Sequence, residues 1–294
     1  MARLHFLKSG LQTTIQDLGR QGVQDLGIPI NGAMDKASAQ LANQLVGNDA
    51  NSPVLEITLL GPKIQFEGQC QIAITGANLS AEINGSIIPQ FKTININHGD
   101  MLSFGKPVTG CRAYLAINGR WDIQSWLGSY SASATNTAQT TPDSIIAKDQ
   151  IIEIIRGKEQ PIIAISESER PSLSIEAPIK VYPGPEFEVF SAVEKQCFFG
   201  DSFTIGQDSN RMGYRLKEAL KGYTQKVEVI SSGVIPGTIQ ITNSGQPIVL
   251  MADAQTTGGY PRIANVSSTD LDRLAQFKPG DKVRFELKYK PIEI

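Results

Sequence analysis

A run of hydrogen-bonding side chains follows a buried apolar strand late in the chain. Its members are Asp253, Gln255, Thr256, Thr257, Gly258, Gly259 and Tyr260. The apolar run 248–251 precedes them, and before it come an alternating strand at 239–242 and a turn signal at 243–245. Adjacent glycines let the backbone bend sharply or let a ligand approach closely. The pattern is typical either of a pocket that binds a small polar molecule or of a hydrogen-bonded hairpin tip.

A second group with chemical possibilities occurs twice. The pattern Gln-Asp-x-x-Arg-x-Gly occupies residues 16–22 and again residues 207–213. The aspartate can orient the arginine so that its planar fork meets a carboxylate or phosphate, or the two can form an ion pair that fixes a loop. The second copy favours the binding interpretation, because Arg215 follows Arg211 by four positions. We expect Arg211 at the surface of a pocket, where replacement by alanine leaves folding intact.

Several other kinds of site are absent from the sequence. It contains no Gly-x-x-x-x-Gly-Lys-Ser/Thr loop, no Gly-x-Gly-x-x-Gly fingerprint and no Gly-x-Ser-x-Gly elbow. His5 and His98 are the only histidines, which argues against a Ser/His or Cys/His dyad. Neither has zinc-ligand spacing to a cysteine, so we expect no metal site. The groups left for proton transfer are a tyrosine or the carboxylates Asp17, Asp35, Glu56 and Asp253.

Composition narrows the class of protein. Of 294 residues, 40% are hydrophobic and 19% charged, which supports a sizeable core, and 27 glycines with 16 prolines indicate many turns and short strands. A net charge of −2 without a basic block argues against a nucleic-acid partner. No stretch approaches the roughly 20 apolar residues of a membrane span, and the amino terminus lacks a signal-peptide core. With three isolated cysteines, we expect a cytoplasmic protein.

The elements that position these residues repeat along the chain. The Gln-Asp pattern, an Ile-Gln pair before an apolar strand (64–65 and 239–240) and a Gly-Asp strand start (99–100 and 280–281) recur in one order. We interpret them as two copies of one all-β unit, and such units avoid exposed edges by closing into barrels. The polar segment 167–174 is the candidate linker. The sequence therefore predicts a first domain over 1–170 and a second over 171–294.

Local signals predict several elements. Asp35 is expected to cap a helix that ends at Gly47, and Asn84-Gly85 to form a type I′ hairpin turn. The segment 122–127 is expected to form one or two helical turns, followed by a polar loop at 129–144. A capping-box pattern that starts at Thr269 predicts a late helix.

The chain resembles the biotin-dependent carboxyltransferase-like family, which includes the C subunit of 5-oxoprolinase and allophanate hydrolase subunit 2. The segments that carry the resemblance are GLQTTIQDLGRQG (10–22), NGAMDKASAQLANQLVGND (31–49), VLEITLLGP (54–62), GCRAYLAING (110–119), RMGYRL (211–216), PGTIQ (236–240), GQPIVLMADAQTTGGYPRIA (245–264) and LAQFKPGD (274–281). They span nearly the whole chain in order, and the stretch 255–260 is especially specific.

The resemblance implies two cyclophilin-like β-barrel domains with a few short helices. It also implies partners, because family members act with a B subunit, and in 5-oxoprolinase with an A subunit as well. That reaction is the ATP-dependent opening of 5-oxoproline to glutamate, in which phosphorylation of the amide oxygen makes a better electrophile. Related domains in urea carboxylase transfer a carboxyl group from biotin to urea. Both chemistries handle a small amide with a planar O–C–N group, which suits a pocket of oriented amide, hydroxyl and arginine groups.

The resemblance and the motifs together give the candidate site. Proton transfer is assigned to Asp253 and Asp17. The residues assigned to substrate binding are Arg211, Arg215, Gln255, Thr257, Gly258, Gly259, Tyr260, Gln16 and Arg20. Arg211 and Arg215 are expected to meet an anionic group, and Asp253, Gln255 and Thr257 the amide. ATP is expected to be shared with the partner subunits.

The sequence departs from the family pattern between 118 and 141. Residues 118–121 replace a usual Gly-Gly pair, Tyr130 stands where an arginine is usual, and Ala254 replaces a basic residue. Three functions therefore stay open. The first is a component of an ATP-dependent 5-oxoprolinase that is active with the A and B subunits. The second is a biotin-dependent carboxyltransferase component for urea or a related amide, and the third is a non-catalytic protein that binds a kinase inhibitor resembling the B subunit.

Overall fold

The chain divides into two units. A computed structural model describes residues 1–133, 137–224 and 229–288. The first unit is Met1–Arg20 with Asn31–Leu173, and the second is Gln21–Ile30 with Ser174–Ile294. Strands dominate both units and pair almost entirely antiparallel, so the predicted mainly β fold is confirmed. Closure of the sheets into cyclophilin-like barrels, and a domain boundary at 170 and 171, stay predictions.

The described residues of the first unit form two sheets and two α-helices. Its strands are β1 (Ala2–Lys8), β2 (Gln12–Gln16), β3 (Val54–Thr58), β4 (Lys63–Glu67), β5 (Cys70–Asn78), β6 (Ala81–Ile83), β7 (Ser86–Ile87), β8 (Ile94–Ile96), β9 (Met101–Phe104), β10 (Thr109–Ile117), β11 (Gly119–Trp121) and β12 (Ile151–Arg156). Its helices are α1 (Lys36–Leu45) and α2 (Thr137–Thr140). One sheet has the order β11-β12-β1-β4-β9-β6-β7, and the other β2-β3-β10-β5-β8.

The five-stranded sheet is covered on both faces. One face packs into a core with the seven-stranded sheet, where Leu115 lies in the same cluster as Phe6. The other face packs on α1, where Leu45 joins Val54 and Tyr114. Every residue of β3 is therefore buried, and not only alternate ones.

The second unit contains one large and two small sheets. Its strands are β13 (Ile179–Pro183), β14 (Phe203–Thr204), β15 (Gly213–Arg215), β16 (Ser232–Gly233), β17 (Thr238–Ile241), β18 (Pro247–Leu250), β19 (Thr257–Gly258), β20 (Arg262–Val266), β21 (Lys282–Val283) and β22 (Phe285–Leu287). Its helices are α3 (Ala192–Gly200) and α4 (Ser268–Leu274). The large sheet has the order β15-β18-β17-β20-β13-β22, and β14 pairs with β21 and β16 with β19.

The sequence predictions that depend on a few neighbouring residues are confirmed. The carboxylate of Asp35 caps α1, because it accepts a hydrogen bond from the Ser38 amide at 2.9 Å. Asn84 and Gly85 have φ values of 52° and 81° between the paired strands β6 and β7, as a type I′ turn requires.

The prediction of helical turns at 122–127 is wrong. Trp126 and Ser129 instead exchange backbone hydrogen bonds of 2.8 and 3.1 Å around Leu127 and Gly128. The φ values of these two residues, 50° and 74°, make a tight hairpin. Gly128 therefore forms part of this turn and does not end a helix.

The cap of α4 is also displaced from its predicted place. The N-cap is Ser267 and not Thr269, and the Ser267 hydroxyl donates to Asp270 Oδ2 at 2.9 Å. Two overlapping patterns have the same spacing here, and spacing alone does not choose between them. The predicted loop 129–144 contains α2 and a 3-10 turn at Pro142–Ser144, and its residues 134–136 lie outside the described part of the chain.

A membrane-spanning segment would need a long apolar helix. Within the described ranges, no helix has the length and hydropathy to cross a bilayer.

Candidate functional site

A polar pocket of ≈ 230 Å³ opens on the large sheet of the second unit. Its floor comes from three neighbouring strands, in which Arg215 pairs with Ile248 and Ile248 with Gln240, while Gly213 pairs with Leu250. Residues two apart on a strand share a face, so these five side chains or backbone positions point the same way. The sheet thus places a guanidinium and an amide on either side of an apolar strip.

Three residues of the predicted substrate-binding set line this pocket. Arg215 lies on β15, and Gln255 and Tyr260 come from the loop segments around β19. Asn210 adds a further amide. The stretch first interpreted from its polar composition therefore contributes to a pocket wall.

Thr257, Gly258 and Gly259 of the predicted set do not line this pocket and lie in or beside a small two-stranded sheet. Thr257 and Gly258 form β19, in which Thr257 pairs with Gly233 and Gly258 with Ser232. Thr257 and Gly259 are exposed. A Cβ on Gly259 would approach the Val229 carbonyl oxygen at 3.4 Å, which is ordinary contact.

Gln240 is a pocket residue that the sequence interpretation missed. Its side chain is buried, and Nε2 donates to the Tyr260 carbonyl oxygen at 3.4 Å. A Cβ added at Gly258 would lie 2.5 Å from the same Nε2, so the absence of a side chain at 258 leaves room for the amide. The signal was present as the polar position between Ile239 and Ile241, but alternation alone marks a residue as facing away from a core and not as facing a ligand.

Arg211 and Asp253 form a buried ion pair. Arg211 Nε donates to Asp253 Oδ2 and Nη2 to Oδ1, both at 2.9 Å, and each side chain is about 95% buried. The Asp253 amide also donates to the Arg211 carbonyl at 2.9 Å. Neither residue lines the pocket. Arg211 is thus not at a pocket surface as expected, because its fork meets a carboxylate of the chain itself.

The first copy of the repeated pattern ties loops together. The Asp17 carboxylate accepts four hydrogen bonds of 2.6–2.8 Å, from the Gly19 amide, the Ser129 hydroxyl, the Tyr130 amide and the Ser131 hydroxyl. Asp17 itself is buried. Saturation by four donors favours the loop-fixing interpretation for this copy.

Arg20 and Gln16 are also buried in the first unit. Arg20 Nη1 donates to Asn31 Oδ1 at 2.8 Å and Nη2 to the Ser131 carbonyl at 2.5 Å, while its guanidinium stacks over the Trp126 ring at 5.1 Å. Gln16 Nε2 donates to the Thr14 hydroxyl at 3.1 Å. The structure therefore groups Gln16, Asp17 and Arg20 in the interior of the first unit, and Arg215, Gln255 and Tyr260 around a pocket of the second.

Of the remaining candidates, the Glu56 carboxylate and the backbone amide of Asp35 both contact a tyrosine in the first unit. The Tyr114 hydroxyl donates to Glu56 Oε2 at 2.9 Å and accepts from the Asp35 amide at 2.8 Å. The Met34 amide donates to the same Glu56 oxygen, and Arg112 Nε lies 3.7 Å from the other. Burial, and then the charges of Glu56 and Asp35, hold the pKa of Tyr114 well above its usual value. This network stabilises the face of the sheet under α1.

The pocket of the second unit is suited to binding a small planar polar molecule. The arginine fork matches a carboxylate, and the amides of Asn210, Gln240 and Gln255 can both donate and accept hydrogen bonds. No described lining residue carries a carboxylate, imidazole or amine. The described lining therefore offers groups that could bind and orient a ligand, and the Tyr260 hydroxyl is its one weakly acidic group.

Fold and pocket together define a mainly β protein with a polar pocket suited to a small anionic or amide-bearing molecule. The family model described as carboxyltransferase domain, subdomain A and B, matches residues 26–287, and the chain belongs to that family. It is 36% identical to the C subunit of 5-oxoprolinase from Escherichia coli (strain K12) over 282 residues, which cover 96% of this chain and 90% of that protein. The resemblance seen in the sequence is thus confirmed.

Solved structures share the fold. The urea amidolyase of K. lactis matches with a TM-score of 0.87 and 30% identity over 96% of this chain, which is 18% of that chain. The crystal structure of TTHA0988 matches with a TM-score of 0.86 and 28% identity over 97% of this chain. Our chain spans 56% of TTHA0988, a little over half of its length.

Proposed function

We propose that the chain is one component of an ATP-dependent 5-oxoprolinase complex and that its second-unit pocket holds the lactam. The observation that carries the proposal is the pocket in which Arg215 and three side-chain amides surround the apolar strip of Ile248 and Leu250. The similarity to a protein named as the C subunit of 5-oxoprolinase, over nearly its whole length, supports it.

The parts of 5-oxoproline match the parts of the pocket. Its carboxylate suits the arginine fork of Arg215, which can form two parallel hydrogen bonds. Its ring methylenes suit Ile248 and Leu250, while its carbonyl and N–H suit the donor and acceptor atoms of Gln240 and Gln255. The lactam would then lie flat on the strip with its O–C–N plane turned to the amides.

The remaining chemistry falls to partner subunits. The pocket, at ≈ 230 Å³, is smaller than the roughly 300–1,000 Å³ typical of ligand sites, so it suits a small ring and not a nucleotide. ATP, when bound in the complex, would supply the phosphoryl group that activates the amide oxygen. Since the described lining residues include no carboxylate or imidazole, we propose that the A and B subunits provide the nucleotide site and the proton-transfer groups. The chain alone is then expected to be inactive.

The predicted proton-transfer roles of Asp253 and Asp17 fit the contacts less well than positioning roles. Arg211 engages both oxygens of Asp253, and four donors engage Asp17. We propose that the Arg211–Asp253 pair fixes the strand end from which Gln255 extends. The Asp17 and Arg20 contacts would likewise fix the 129–131 segment of the first unit.

A biotin-dependent carboxyltransferase component is the second candidate. The ureido ring of biotin also presents a planar carbonyl with flanking N–H groups, which the amides of Gln240 and Gln255 suit. The match to urea amidolyase favours this alternative. Arg215 favours 5-oxoproline over urea as the bound substrate, because 5-oxoproline carries a carboxylate on its ring whereas urea carries none.

The test is reconstitution. The purified chain is assayed for ATP-dependent conversion of 5-oxoproline to glutamate, alone and with candidate A and B subunits from the same genome. We expect activity only in the full mixture. Carboxylation of urea with a biotinylated carrier, without 5-oxoproline turnover, would establish the carboxyltransferase alternative. A stable complex with the B subunit that turns over neither substrate would favour the non-catalytic binding role.

A further inference from the structure

A second cavity adjoins the pocket at Arg215. It has a volume of ≈ 140 Å³ and shares Arg215, Thr242 and Ile248 with the lining of the pocket. Asp208 lines this second cavity and not the first, and its Oδ2 lies 3.3 Å from Arg215 Nε. The guanidinium assigned to the ligand carboxylate therefore already has a carboxylate of the chain beside it.

The turn 206–209 holds Asp208 in this place. The Gly206 amide donates to the Arg215 carbonyl at 2.7 Å, and the Ser209 hydroxyl accepts from the Arg215 amide at 3.0 Å. A Cβ at Gly206 would lie 2.7 Å from Asp208 Oδ1, so glycine leaves the room that the carboxylate occupies. The turn is thus fastened to the backbone of the same residue whose side chain its aspartate meets.

The ion pair between Arg215 and Asp208 is weak enough for a ligand carboxylate to displace Asp208. Arg215 and Asp208 are 58% and 68% exposed, and exposed ion pairs contribute little because water and salt screen them. A ligand carboxylate that meets the fork with two parallel hydrogen bonds makes the stronger contact. A ligand whose ring is bound in the pocket can therefore displace Asp208 from Arg215.

We propose that Asp208 is a specificity-determining residue that competes with the ligand carboxylate for Arg215. The inference rests on the proposed function in that the ligand is a ring carboxylate bound at Arg215. The negative charge of Asp208 disfavours the binding of anions that make no other contacts with the pocket. It leaves the binding of a neutral lactam unchanged, since such a ligand does not need the arginine.

Calorimetry with the full chain tests the competition. The probes are 5-oxoproline and 2-pyrrolidinone, which is the same lactam ring without the carboxylate. Asp208→Asn removes the competing charge and keeps the shape, so the Kd of 5-oxoproline is expected to fall roughly two- to fivefold while that of 2-pyrrolidinone stays the same. Asp208→Glu keeps the charge and is expected to restore the wild-type Kd.

The matched control is Asp201→Asn. It removes an aspartate from another exposed ion pair of the second unit, with Lys221 Nζ at 3.0 Å, and is expected to leave both Kd values unchanged. A Kd of 5-oxoproline that rises or stays constant in Asp208→Asn overturns the proposal, because the aspartate would then support Arg215 or not affect it.

Labelling of Arg215 by phenylglyoxal, read by mass spectrometry of its peptide, tests the contact without any ligand. Arg215 is expected to react about twofold faster in Asp208→Asn than in the wild type or in Asp201→Asn, because it loses its partner. Equal rates overturn the proposal even if no ligand binds. Faster labelling together with no 5-oxoproline binding to any variant supports the contact and overturns the proposed function instead.

Discussion

Replacement of Gly258 by alanine is the most local perturbation of the pocket that the chain offers. The new Cβ would lie 2.5 Å from Gln240 Nε2, and ordinary contact begins at 3.4 Å, so the amide must retreat by about 0.9 Å. The φ angle at Gly258 is not in the left-handed region, so the backbone accepts alanine. The change therefore moves one pocket amide and leaves the strand intact.

The expected loss follows from that displacement. The bond from Nε2 to the Tyr260 carbonyl is already 3.4 Å long and breaks when the amide retreats. The displaced amide also loses its proposed hydrogen bond to the lactam, which is worth about 0.5–1.5 kcal/mol net, so the KM for 5-oxoproline should rise roughly two- to tenfold in the reconstituted complex. The melting temperature should fall by no more than about 4 °C, since a change near 1 kcal/mol produces a shift of that size.

Gly259→Ala is the matched control. Among the described residues, its Cβ would meet the Val229 carbonyl oxygen alone, at 3.4 Å, and the change should leave both KM and melting temperature at wild-type values. Steady-state kinetics and thermal unfolding of the two variants decide the matter. Equal KM values for Gly258→Ala and the wild type would refute the role of Gln240, and a large drop in melting temperature would refute the claim that the effect is local.

Three further perturbations test the buried networks. Asp253→Asn should destabilise the chain by about 3–5 kcal/mol in chemical denaturation, because it breaks a buried ion pair with Arg211; a change below about 1 kcal/mol would show that the pair is not structural. Asp17→Ala should cost at least about 2 kcal/mol, because it orphans four donors, and an unchanged denaturation midpoint would contradict this. Folding raises the pKa of Tyr114, so its contribution to stability is complete below the unfolded pKa of about 10 and is lost as pH rises above that value. In denaturation measured between neutral and alkaline pH, Tyr114→Phe should reduce this alkaline loss of stability. An unaltered pH profile would argue against the assignment.

Sequence reasoning succeeded where a few neighbouring residues set the backbone. Asp35 caps α1 because its side chain reaches an amide three residues away, and Asn84-Gly85 forms a turn because both residues tolerate positive φ. The family resemblance also rests on motifs that are contiguous in the chain. These features need no knowledge of distant partners.

Partners that lie far apart in sequence could not be predicted. The fork of Arg211 meets Asp253, 42 residues away, and the repeat gave no indication of it. Asp17 and Asp208 occupy the same position of the repeated pattern, yet Asp17 is buried because the 129–131 segment surrounds it, whereas Asp208 is exposed beside Arg215. Identical patterns acquire different roles because the segments packed against them differ.

The pocket likewise contains residues that the sequence predicted and residues that it did not. Its polar wall was predicted from the composition of the stretch that contains Gln255 and Tyr260. Gln240 was not, since one polar residue in an alternating strand is as typical of a solvated face as of a binding site. Only the pairing of β15 with β18 and of β18 with β17 brings it level with Arg215.

The most direct test of the central claim is the KM for 5-oxoproline of the reconstituted complex that carries Arg215→Ala. Loss of a charge-assisted contact of about 1.5–3 kcal/mol predicts a KM roughly ten- to a hundredfold higher than in the wild type. Arg284→Ala, an exposed arginine of the same unit that donates to the Glu176 carbonyl, should leave KM unchanged. A wild-type KM in Arg215→Ala, or turnover of 5-oxoproline by the partner subunits without this chain, would contradict the claim that this pocket holds the lactam.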